Sequence, residues 1–264
     1  MDNAATFRQR LLAGEPLIGS FLKTPSSHAT EILGALGFDF LVIDQEHAPF
    51  DRATTDIALL AARAAGIPAL VRVQGLEAIL SVLDCGATGI LAPHVASVDY
   101  ARQVAAACRY RNGKRGFATS TRAGGYTSVP MWRHIDASDQ AVTLFAQIED
   151  PEALDHLDEI AAVEGVDSLF IGRGDLTAAF SDRSVDPPRT REAAERIAKA
   201  ALRAKKAVSV YVGDAGEAAR LKALGASAFV LSSDQSFLRQ AAIKSLGEVR
   251  DMVGTADKSA ARCP

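Results

Sequence analysis

Eight short apolar runs, each followed by a longer segment rich in Ala, Leu, Arg and Glu, fill most of the sequence and limit its fold more than any other feature. The runs are apolar throughout rather than alternating, which is typical of parallel strands covered on both faces. Eight such units in about 250 residues predict an α/β protein with a (β/α)₈ TIM barrel. We expect one domain over residues 1–253, with an extra N-terminal helix within residues 1–14. The runs lie at 16–21, 38–44, 68–73, 88–93, 142–149, 166–172, 207–213 and 227–233.

A doubly wound open sheet stays the alternative, because periodicity does not report whether a sheet closes. Two irregular stretches, 110–140 and 181–190, interrupt the pattern and are expected to be loops. The first is long, and a long ordered loop inside a compact domain is usually functional or forms an interface. Residues 254–264 are expected to be a disordered tail.

Charge and cysteine content narrow the function classes. The chain of 264 residues has a net charge of −3 and a pI near 6.0, which argues against a nucleic-acid partner. No stretch approaches the roughly 20 consecutive apolar residues of a membrane span, so no membrane partner is expected. The three cysteines have no metal-ligand or redox spacing, which indicates a reducing, cytoplasmic location.

Polar residues cluster where the predicted strands end, and in a barrel those ends carry the catalytic groups. So many carboxylates at one end would repel one another, which predicts a divalent metal with oxygen ligands, together with Arg72. Asp214 and Asp234 are also typical helix N-caps, whereas Glu149 ends a strand. Glu149 and Asp175 end successive strands and are spaced as barrel neighbours. The strand-end residues are Asp44, Glu46, His47, Arg72, His94, Gln147, Glu149, Arg173, Gly174, Asp175, Asp214 and Asp234.

Several segments in series resemble the HpcH/HpaI family of class II pyruvate aldolases, over about residues 7–250. They are GFDFLVIDQEHAPFD (37–51), VRV (71–73), VLDCGATGILAPHV (82–95), RYRNGKRGFA (109–118) and the stretch from AQIEDPEALDHL to FIGRGDL (146–176). The resemblance implies a TIM barrel that makes or cleaves 2-oxo-4-hydroxy acids with a divalent metal. Its substrates would be a 2-oxo acid, pyruvate or hydroxypyruvate, and an aldehyde. It also implies a homo-oligomer, usually a hexamer, whose C-terminal helices are exchanged between subunits.

The resemblance assigns roles to individual residues. Glu149 and Asp175 match the metal ligands, with Mg²⁺ or Mn²⁺ favoured by carboxylate oxygens and Co²⁺ or Zn²⁺ as alternatives. Three further positions match catalytic residues: His47 the base, Arg72 the transition-state stabiliser, and Asp84 the carboxylate that raises the basicity of the histidine. Our strand assignment puts Asp84 at a helix end away from the strand ends, so Asp44 is a second candidate for orienting His47. The positions that match substrate contacts are Gln147, Gly174 and Asp175.

The implied chemistry is consistent with these residue types. Cleavage leaves negative charge on the enolate oxygen of the 2-oxo acid, which a divalent metal and an arginine stabilise. His47 would accept the proton of the C4 hydroxyl. No lysine stands at a predicted strand end, which disfavours a Schiff-base mechanism.

Three other functions are weighed against this one. An acyl-CoA lyase of the citrate lyase β-subunit type, acting on malyl- or citramalyl-CoA, is the nearest. A phosphate-binding isomerase or epimerase would need a glycine-rich cradle after the last two strands, where the sequence reads GDAGEAA and SSDQSFL. A binding barrel without activity would not need to keep Glu149, Asp175 and Arg72.

Departures from the family pattern bear on the choice of substrate. Arg173 and Gly174 stand where the family often has proline and a small residue. Phe21, followed by Lys23, replaces a common tryptophan, and 111–112 reads Arg-Asn instead of a double proline. The donor acid and the acceptor aldehyde stay open, as does whether Arg122 and Tyr126 contact substrate or a neighbouring subunit.

Overall fold

The computed structural model describes residues 2–185 and 187–254, which form a closed barrel of eight parallel strands in sequential order. This confirms the predicted TIM barrel and excludes the open sheet. Each strand is followed by one or more helices that cover its outer face. The strands are β1 Leu17–Leu22, β2 Phe40–Asp44, β3 Ala69–Arg72, β4 Gly89–Ala92, β5 Thr143–Ile148, β6 Ser168–Ile171, β7 Ala207–Val212 and β8 Ala228–Ser233.

The helices agree with the predicted pattern and add two elements, at 131–141 and at 173–180. The stretch expected to be irregular at 110–140 contains α6, which starts directly after Pro130 (φ −57°) and buries His134 and Ile135. The helices are α1 Asp2–Leu12, α2 Ser27–Ala35, α3 Arg52–Ala64, α4 Leu76–Asp84, α5 Val98–Ala107, α6 Met131–Ala141, α7 Leu157–Ala161, α8 Arg173–Phe180, α9 Pro188–Arg203, α10 Ala215–Ala223 and α11 Asp234–Val253; a 3₁₀ turn spans Pro151–His156.

Two apolar clusters hold the barrel together. The larger cluster packs the outer faces of the strands against the helices, and the smaller one fills the barrel interior. Alternate residues of each strand point inward, as Phe40 and Val42 do on β2. Helix α1 closes the N-terminal end of the barrel, with the ring centroid of Phe7 5.2 Å from that of Phe40. The interior is therefore a packed core, in which the hydroxyl groups of Ser168 and Ser209 hydrogen-bond to each other.

Local signals explain where several helices begin and end. Asp51 caps α3 by accepting a hydrogen bond from the Thr54 amide in a capping box. Asp214 caps α10, as expected, but the cap of α11 is Ser233; the carboxylate of Asp234 accepts from the amides of Lys23 and Thr24 instead.

Two predictions concern the ends of the chain and the membrane. Of the tail expected at 254–264, the structure describes only Gly254, which ends α11. Residues 255–264 lie outside the described residues. Among the described helices, none combines the length and the apolar character needed to cross a bilayer.

Candidate active site

A cavity of about 520 Å³ opens at the C-terminal end of the barrel, where the inward-facing side chains become polar. It brings together four of the residues to which the resemblance assigns roles, from β3, β5 and the start of α8: Arg72, Gln147, Gly174 and Asp175. Its other walls include Phe21, Lys23, Arg173, Tyr211, Glu217 and Ser236. The cavity is therefore built from residues far apart in sequence, which is the arrangement expected for the mouth of a TIM barrel.

One wall of the mouth carries a buried ion pair. Asp44 and Arg72 are register partners on β2 and β3, and Arg72 donates through Nε (2.9 Å) and Nη2 (2.7 Å) to the two Asp44 oxygens. Burial raises the pKa of Asp44, but the hydrogen bonds and charge of Arg72 outweigh that effect, so the pKa lies below its usual range. The guanidinium carbon also lies 4.8 Å from the ring centroid of Phe21. This geometry holds Arg72 in one orientation.

The loop after β2 positions Glu46 and His47 beside this pair. Asp44 Oδ1 accepts hydrogen bonds from the backbone amides of both residues, each at 3.2 Å. The Glu46 carboxylate lies 3.2 Å from Arg72 Nη1 and 3.6 Å from His47 Nε2, and the His47 side chain is 55% exposed. Within this chain, therefore, Glu46 is a carboxylate next to the His47 ring, while Asp44 orders the His47 backbone.

Glu149 follows β5 directly and contacts Gln147 and Gly172, two residues that line the cavity. This residue is 2% exposed, and its carboxylate accepts from the His94 amide (2.8 Å) and from the Gln147 side chain. Burial raises the pKa of Glu149 to about 7, and the negative charge of Asp175 acts in the same direction. The backbone leaves room for Glu149 because residue 172 is glycine: a Cβ there would lie 2.4 Å from the Glu149 Cβ.

His94 was placed at a strand end by the sequence, but no role was assigned to it or to Glu46. The backbone of His94 is left-handed (φ +53°), and the ring Nδ1 of His94 lies 3.2 Å from both carboxylate oxygens of Asp150. Its Nε2 lies 3.5 Å from Glu46 Oε1. Glu46, His94 and Glu149 each offer a ligand atom within 4.8 Å of the other two, a grouping suited to a metal ion. Their positions in the sequence could have identified both residues, since Glu46 and His94 each lie two residues after the end of a strand, β2 and β4 respectively.

Asp175 stands in the first turn of α8, on the exposed side of the cavity. It is close enough to Glu149 for its charge to act on that carboxyl, as the register of adjacent strands predicts, but it is not part of the three-residue group. The structure thus provides two overlapping sets of candidate ligands around Glu149.

Asp84 lies at the other end of the barrel. It is the last residue of α4, its carboxylate is 3.5 Å from Arg115 Nη2, and burial raises its pKa. Within one chain it does not meet His47, which follows the C-terminal end of β2. Its predicted action on His47 stays a prediction that requires a second subunit.

The expectation that no lysine stands at a strand end is wrong. Strand β1 runs to Leu22, one residue further than predicted, so Lys23 follows it directly and lines the cavity. Lys23 Nζ lies 3.3 Å from Asp44 Oδ2. An ammonium group held in such a pair donates hydrogen bonds and has no lone pair for attack on a carbonyl. The presence of Lys23 therefore does not by itself favour a Schiff base.

A family model described as HpcH/HpaI aldolase/citrate lyase matches residues 17–241. The chain belongs to this family. A 5-keto-4-deoxy-D-glucarate aldolase of Enterobacter sp. (strain 638) is 34% identical over 242 residues, or 90% of this chain and 94% of the relative. A hydroxypyruvate/pyruvate aldolase of Delftia acidovorans is 34% identical over 253 residues, or 94% of this chain and 93% of the relative.

Solved structures agree with this family assignment. A HpcH/HpaI aldolase/citrate lyase family protein from Burkholderia cenocepacia J2315 gives a TM-score of 0.87 at 32% identity, covering 93% of this chain and 99% of that chain. A citrate lyase from Burkholderia xenovorans LB400 gives a TM-score of 0.61 at 16% identity, covering 83% of this chain and 73% of that chain, and shows the fold alone. The chain is thus a carbon–carbon lyase of the class II aldolase type, and the acyl-CoA lyase alternative has weaker support.

Two arginines that the sequence singled out lie in different parts of the molecule. Arg173 lies in the cavity wall, where it bonds Glu217 and the Tyr211 carbonyl oxygen. Arg122 instead lies beyond the N-terminal end of β4, where it bonds Asp56 and the Cys85 carbonyl oxygen. Of the two arginines whose roles the sequence left open, only Arg173 reaches the mouth of this subunit.

Proposed function

We propose that this protein is a metal-dependent aldolase that makes and cleaves 2-oxo-4-hydroxy acids through the enolate of pyruvate or hydroxypyruvate. The observation that carries the proposal is the pairing of two unlike charged groups at the mouth of the barrel. Arg72 is buried and fixed by Asp44, and Glu149 is buried with no arginine or lysine bonded to it among the described residues. Such a site suits a reaction in which negative charge develops beside Arg72.

Arg72 would stabilise the enolate oxygen. Its guanidinium lines the cavity, is always protonated and is held by Asp44, so that it needs little reorganisation as charge develops. A lysine would offer only a point charge in place of this planar fork. Asp44 is thus a positioning residue for Arg72 in this proposal.

His47 would accept the C4 hydroxyl proton in cleavage and return it in condensation. Its exposed ring stands at the mouth, with Nε2 3.6 Å from the Glu46 carboxylate. The backbone bond to Asp44 fixes the loop that carries the ring. Gln147, Gly174 and Asp175 would contact the 2-oxo acid.

Glu149 and Asp175 would hold the divalent metal. The residues fit this role, because Gln147 Oε1 is a buried acceptor without a hydrogen-bond partner among the described residues, and no arginine or lysine there is bonded to Glu149. A divalent cation bound there supplies Lewis-acid stabilisation of the enolate charge. Carboxylate oxygens favour Mg²⁺ or Mn²⁺, and the nearby His94 imidazole makes Co²⁺ and Zn²⁺ the alternatives to test.

A homo-oligomer, expected as a hexamer, is part of the proposal. Helix α11 has no buried residue in the described chain, although it carries a row of large apolar side chains. An exposed row of this kind suggests that a second copy covers it. We expect the helix to be exchanged between subunits of single-domain protomers, and light scattering after gel filtration measures the mass. The exposed residues are Leu238, Ile243, Leu246, Val249 and Met252.

The location proposed is the cytoplasm. Cys85 and Cys108 are buried and form no disulfide within the described residues, which is consistent with a reducing compartment. The proposed substrates are small molecules, a 2-oxo acid and an aldehyde.

Proton exchange tests the proposed function without knowledge of the aldehyde. The metal-stripped protein is incubated with pyruvate in D₂O, and the methyl proton signal is followed by NMR with Mn²⁺, with Mg²⁺ and with EDTA. Hydroxypyruvate is run in parallel through its C3 protons. We expect exchange that depends on metal and that distinguishes the better donor acid.

The contrary result is equally clear. If neither acid exchanges at metal concentrations that calorimetry shows to saturate the protein, the proposal fails. A malyl- or citramalyl-CoA cleavage assay then tests the acyl-CoA lyase alternative.

A further inference from the structure

We propose that Glu46, His94 and Glu149 form a zinc site at the mouth of the barrel, and that Zn²⁺ bound there inhibits the enzyme. This three-residue group shares Glu149 with the pair proposed to hold the catalytic cation, but it does not include Asp175. The inhibition rests on the proposed function, whereas the binding of zinc does not depend on it.

The three side chains come from three different strand–helix units. Glu46 follows β2, His94 follows β4 and Glu149 follows β5. His94 Nε2 lies 3.5 Å from Glu46 Oε1, and each residue offers a ligand atom within 4.8 Å of the other two. Zinc bonds of about 2.0–2.1 Å in a tetrahedron place the ligand atoms about 3.3 Å apart. The His94–Glu46 distance therefore already suits one ion, and a side-chain shift of about 1 Å brings in the third ligand.

The contact with Asp150 orients the His94 ring for this role. His94 Nδ1 lies 3.2 Å from each oxygen of the Asp150 carboxylate. Since an ionised carboxylate only accepts hydrogen bonds, Nδ1 is the donor, and the lone pair of the neutral ring lies on Nε2. That nitrogen is the one that faces Glu46. A carboxylate on the other ring nitrogen is the usual partner of a metal-binding histidine, so this contact supports the site independently of the group itself.

An ion can reach the group from solvent. The side chain of His94 is 58% exposed, while those of Glu46 and Glu149 are 15% and 2% exposed. Glu46 contacts Arg72 through Oε2 and turns Oε1 towards His94, so one oxygen stays available to an ion. The group thus combines two largely buried carboxylates with one accessible imidazole.

The ligand types separate zinc from manganese. Zn²⁺ binds nitrogen and carboxylate oxygen in four-coordinate sites, often with three protein ligands and one open position. Mg²⁺ and Mn²⁺ prefer six oxygen ligands. The Glu149–Asp175 pair supplies only oxygen, whereas the three-residue group includes an imidazole. We therefore expect zinc on His94 and manganese on Asp175, and the two ions compete because both need Glu149.

Zinc in this position removes what the proposed reaction requires. It occupies Glu149 without Asp175, so the catalytic cation is displaced. It also binds Glu46, whose carboxylate lies 3.2 Å from Arg72 Nη1 and 3.6 Å from His47 Nε2. The zinc complex is thus expected to be inactive, and excess Mn²⁺ should restore activity.

The test compares zinc and manganese on the same variants. Each metal is titrated calorimetrically into the metal-stripped protein at about pH 8, because zinc requires the deprotonated ring. The variants are His94→Asn, Asp150→Asn and Asp175→Asn. Asparagine suits position 94 because it tolerates the left-handed backbone found there (φ +53°). His28→Asn, which removes an exposed histidine on α2, is the matched control.

We expect the two metals to respond to different substitutions. Asp150→Asn should weaken zinc binding by about tenfold to a hundredfold, and His94→Asn, which removes a ligand outright, by more than that. Both should change the affinity for Mn²⁺ less than the affinity for zinc. Asp175→Asn should show the reverse pattern, and His28→Asn should match the wild type with both metals.

Pyruvate proton exchange supplies the second measurement. Zinc added to the Mn²⁺-loaded wild-type enzyme should stop exchange, and more Mn²⁺ should restore it. His94→Asn should need at least about tenfold more zinc for the same fractional loss, measured against its own zinc-free rate.

Three results would overturn the proposal. The first is equal zinc affinity in the wild type, His94→Asn and Asp150→Asn. The second is a loss of both metals to the same extent in Asp175→Asn, which would place zinc on the catalytic ligands. The third is a wild-type enzyme that exchanges protons as fast with zinc as with manganese. If the wild type exchanges no proton with any metal, the proposed function fails, and the calorimetric comparison still decides whether the zinc site exists.

Discussion

Asp44 and Glu149 are both buried carboxylates at the ends of strands, yet their surroundings differ. Asp44 receives two hydrogen bonds from Arg72 and lies 3.3 Å from Lys23 Nζ, and its pKa lies below its usual range. Glu149 receives one backbone amide and one side-chain amide, and burial raises its pKa to about 7. The barrel therefore pairs one buried carboxylate with Arg72 and Lys23, whereas the other has only the His94 ring, whose Nδ1 lies 3.5 Å away. We regard this difference as the physical basis of the site.

The largest expected effect comes from removing the uncompensated carboxylate. Glu149→Gln should abolish tight Mn²⁺ binding and lower the rate of pyruvate proton exchange by at least about a thousandfold, because it removes a ligand of the cation that stabilises the enolate. Asp44→Asn, the matched change at the carboxylate paired with Arg72, should retain Mn²⁺ binding. Calorimetric titration of both variants measures this. Equal loss of Mn²⁺ binding in the two variants would contradict the proposed difference between Glu149 and Asp44.

The second expected effect is on stability, and here the Arg72 variant should lose more than the Glu149 variant. Arg72→Met leaves Asp44 buried without its main partner and should lower the free energy of unfolding by about 3–5 kcal/mol. Glu149→Gln should leave the stability of the metal-free protein unchanged or higher, since it removes an uncompensated buried acid. Urea unfolding with EDTA compares the two. A less stable Glu149→Gln protein would show that this carboxylate is compensated by the chain itself.

The third effect is a pH dependence of the metal-free protein. The pKa of Glu149 is raised from 4.5 to about 7 in the folded chain. Between these values the folded state holds a proton that the unfolded state has lost, so the stability is greatest below the lower value and falls as the pH rises through the upper one. The loss should be at most about 3 kcal/mol.

Urea unfolding at about pH 5 and about pH 8 measures this loss, and Glu149→Gln should remove that part of the dependence. Saturating Mn²⁺ should also suppress it, because the metal competes with the proton. An identical pH dependence in Glu149→Gln would contradict the account of this carboxyl.

The smallest effect is expected at Lys23. Its ammonium group is paired with Asp44, and Asp44 keeps its hydrogen bonds to Arg72 when the lysine is lost. Lys23→Met should therefore change pyruvate exchange by less than about threefold, and borohydride with pyruvate should not inactivate the wild-type enzyme. Borohydride-trapped pyruvate on Lys23, detected by mass spectrometry, would establish a Schiff base, which is not part of the proposed mechanism.

The strand–helix alternation was enough to predict the barrel, because eight continuous apolar runs are a local feature of the chain. The same logic placed Arg72, Gln147 and Asp175 at one end, since the carboxyl ends of parallel strands meet there. Helix α6 was not predicted, since its short apolar face, with His134 and Ile135, lies within a stretch rich in Gly and Arg.

Other details depend on three-dimensional register, which the sequence does not encode locally. One additional residue in β1 brings Lys23 to the mouth, and strand boundaries are uncertain by that amount in any sequence analysis. The contacts of Glu46 with His94 and of Arg173 with Glu217 join different strand–helix units, so only the folded barrel reveals them.

The most direct test of the proposed difference between Asp44 and Glu149 is the anomalous difference density of crystals grown with Mn²⁺ and pyruvate. We predict a single strong peak within coordination distance, about 2.0–2.3 Å, of carboxylate oxygens of both Glu149 and Asp175. A peak on Asp44, or one held by Glu46 and His94 without Asp175, would contradict the account, and so would the absence of a peak at saturating metal.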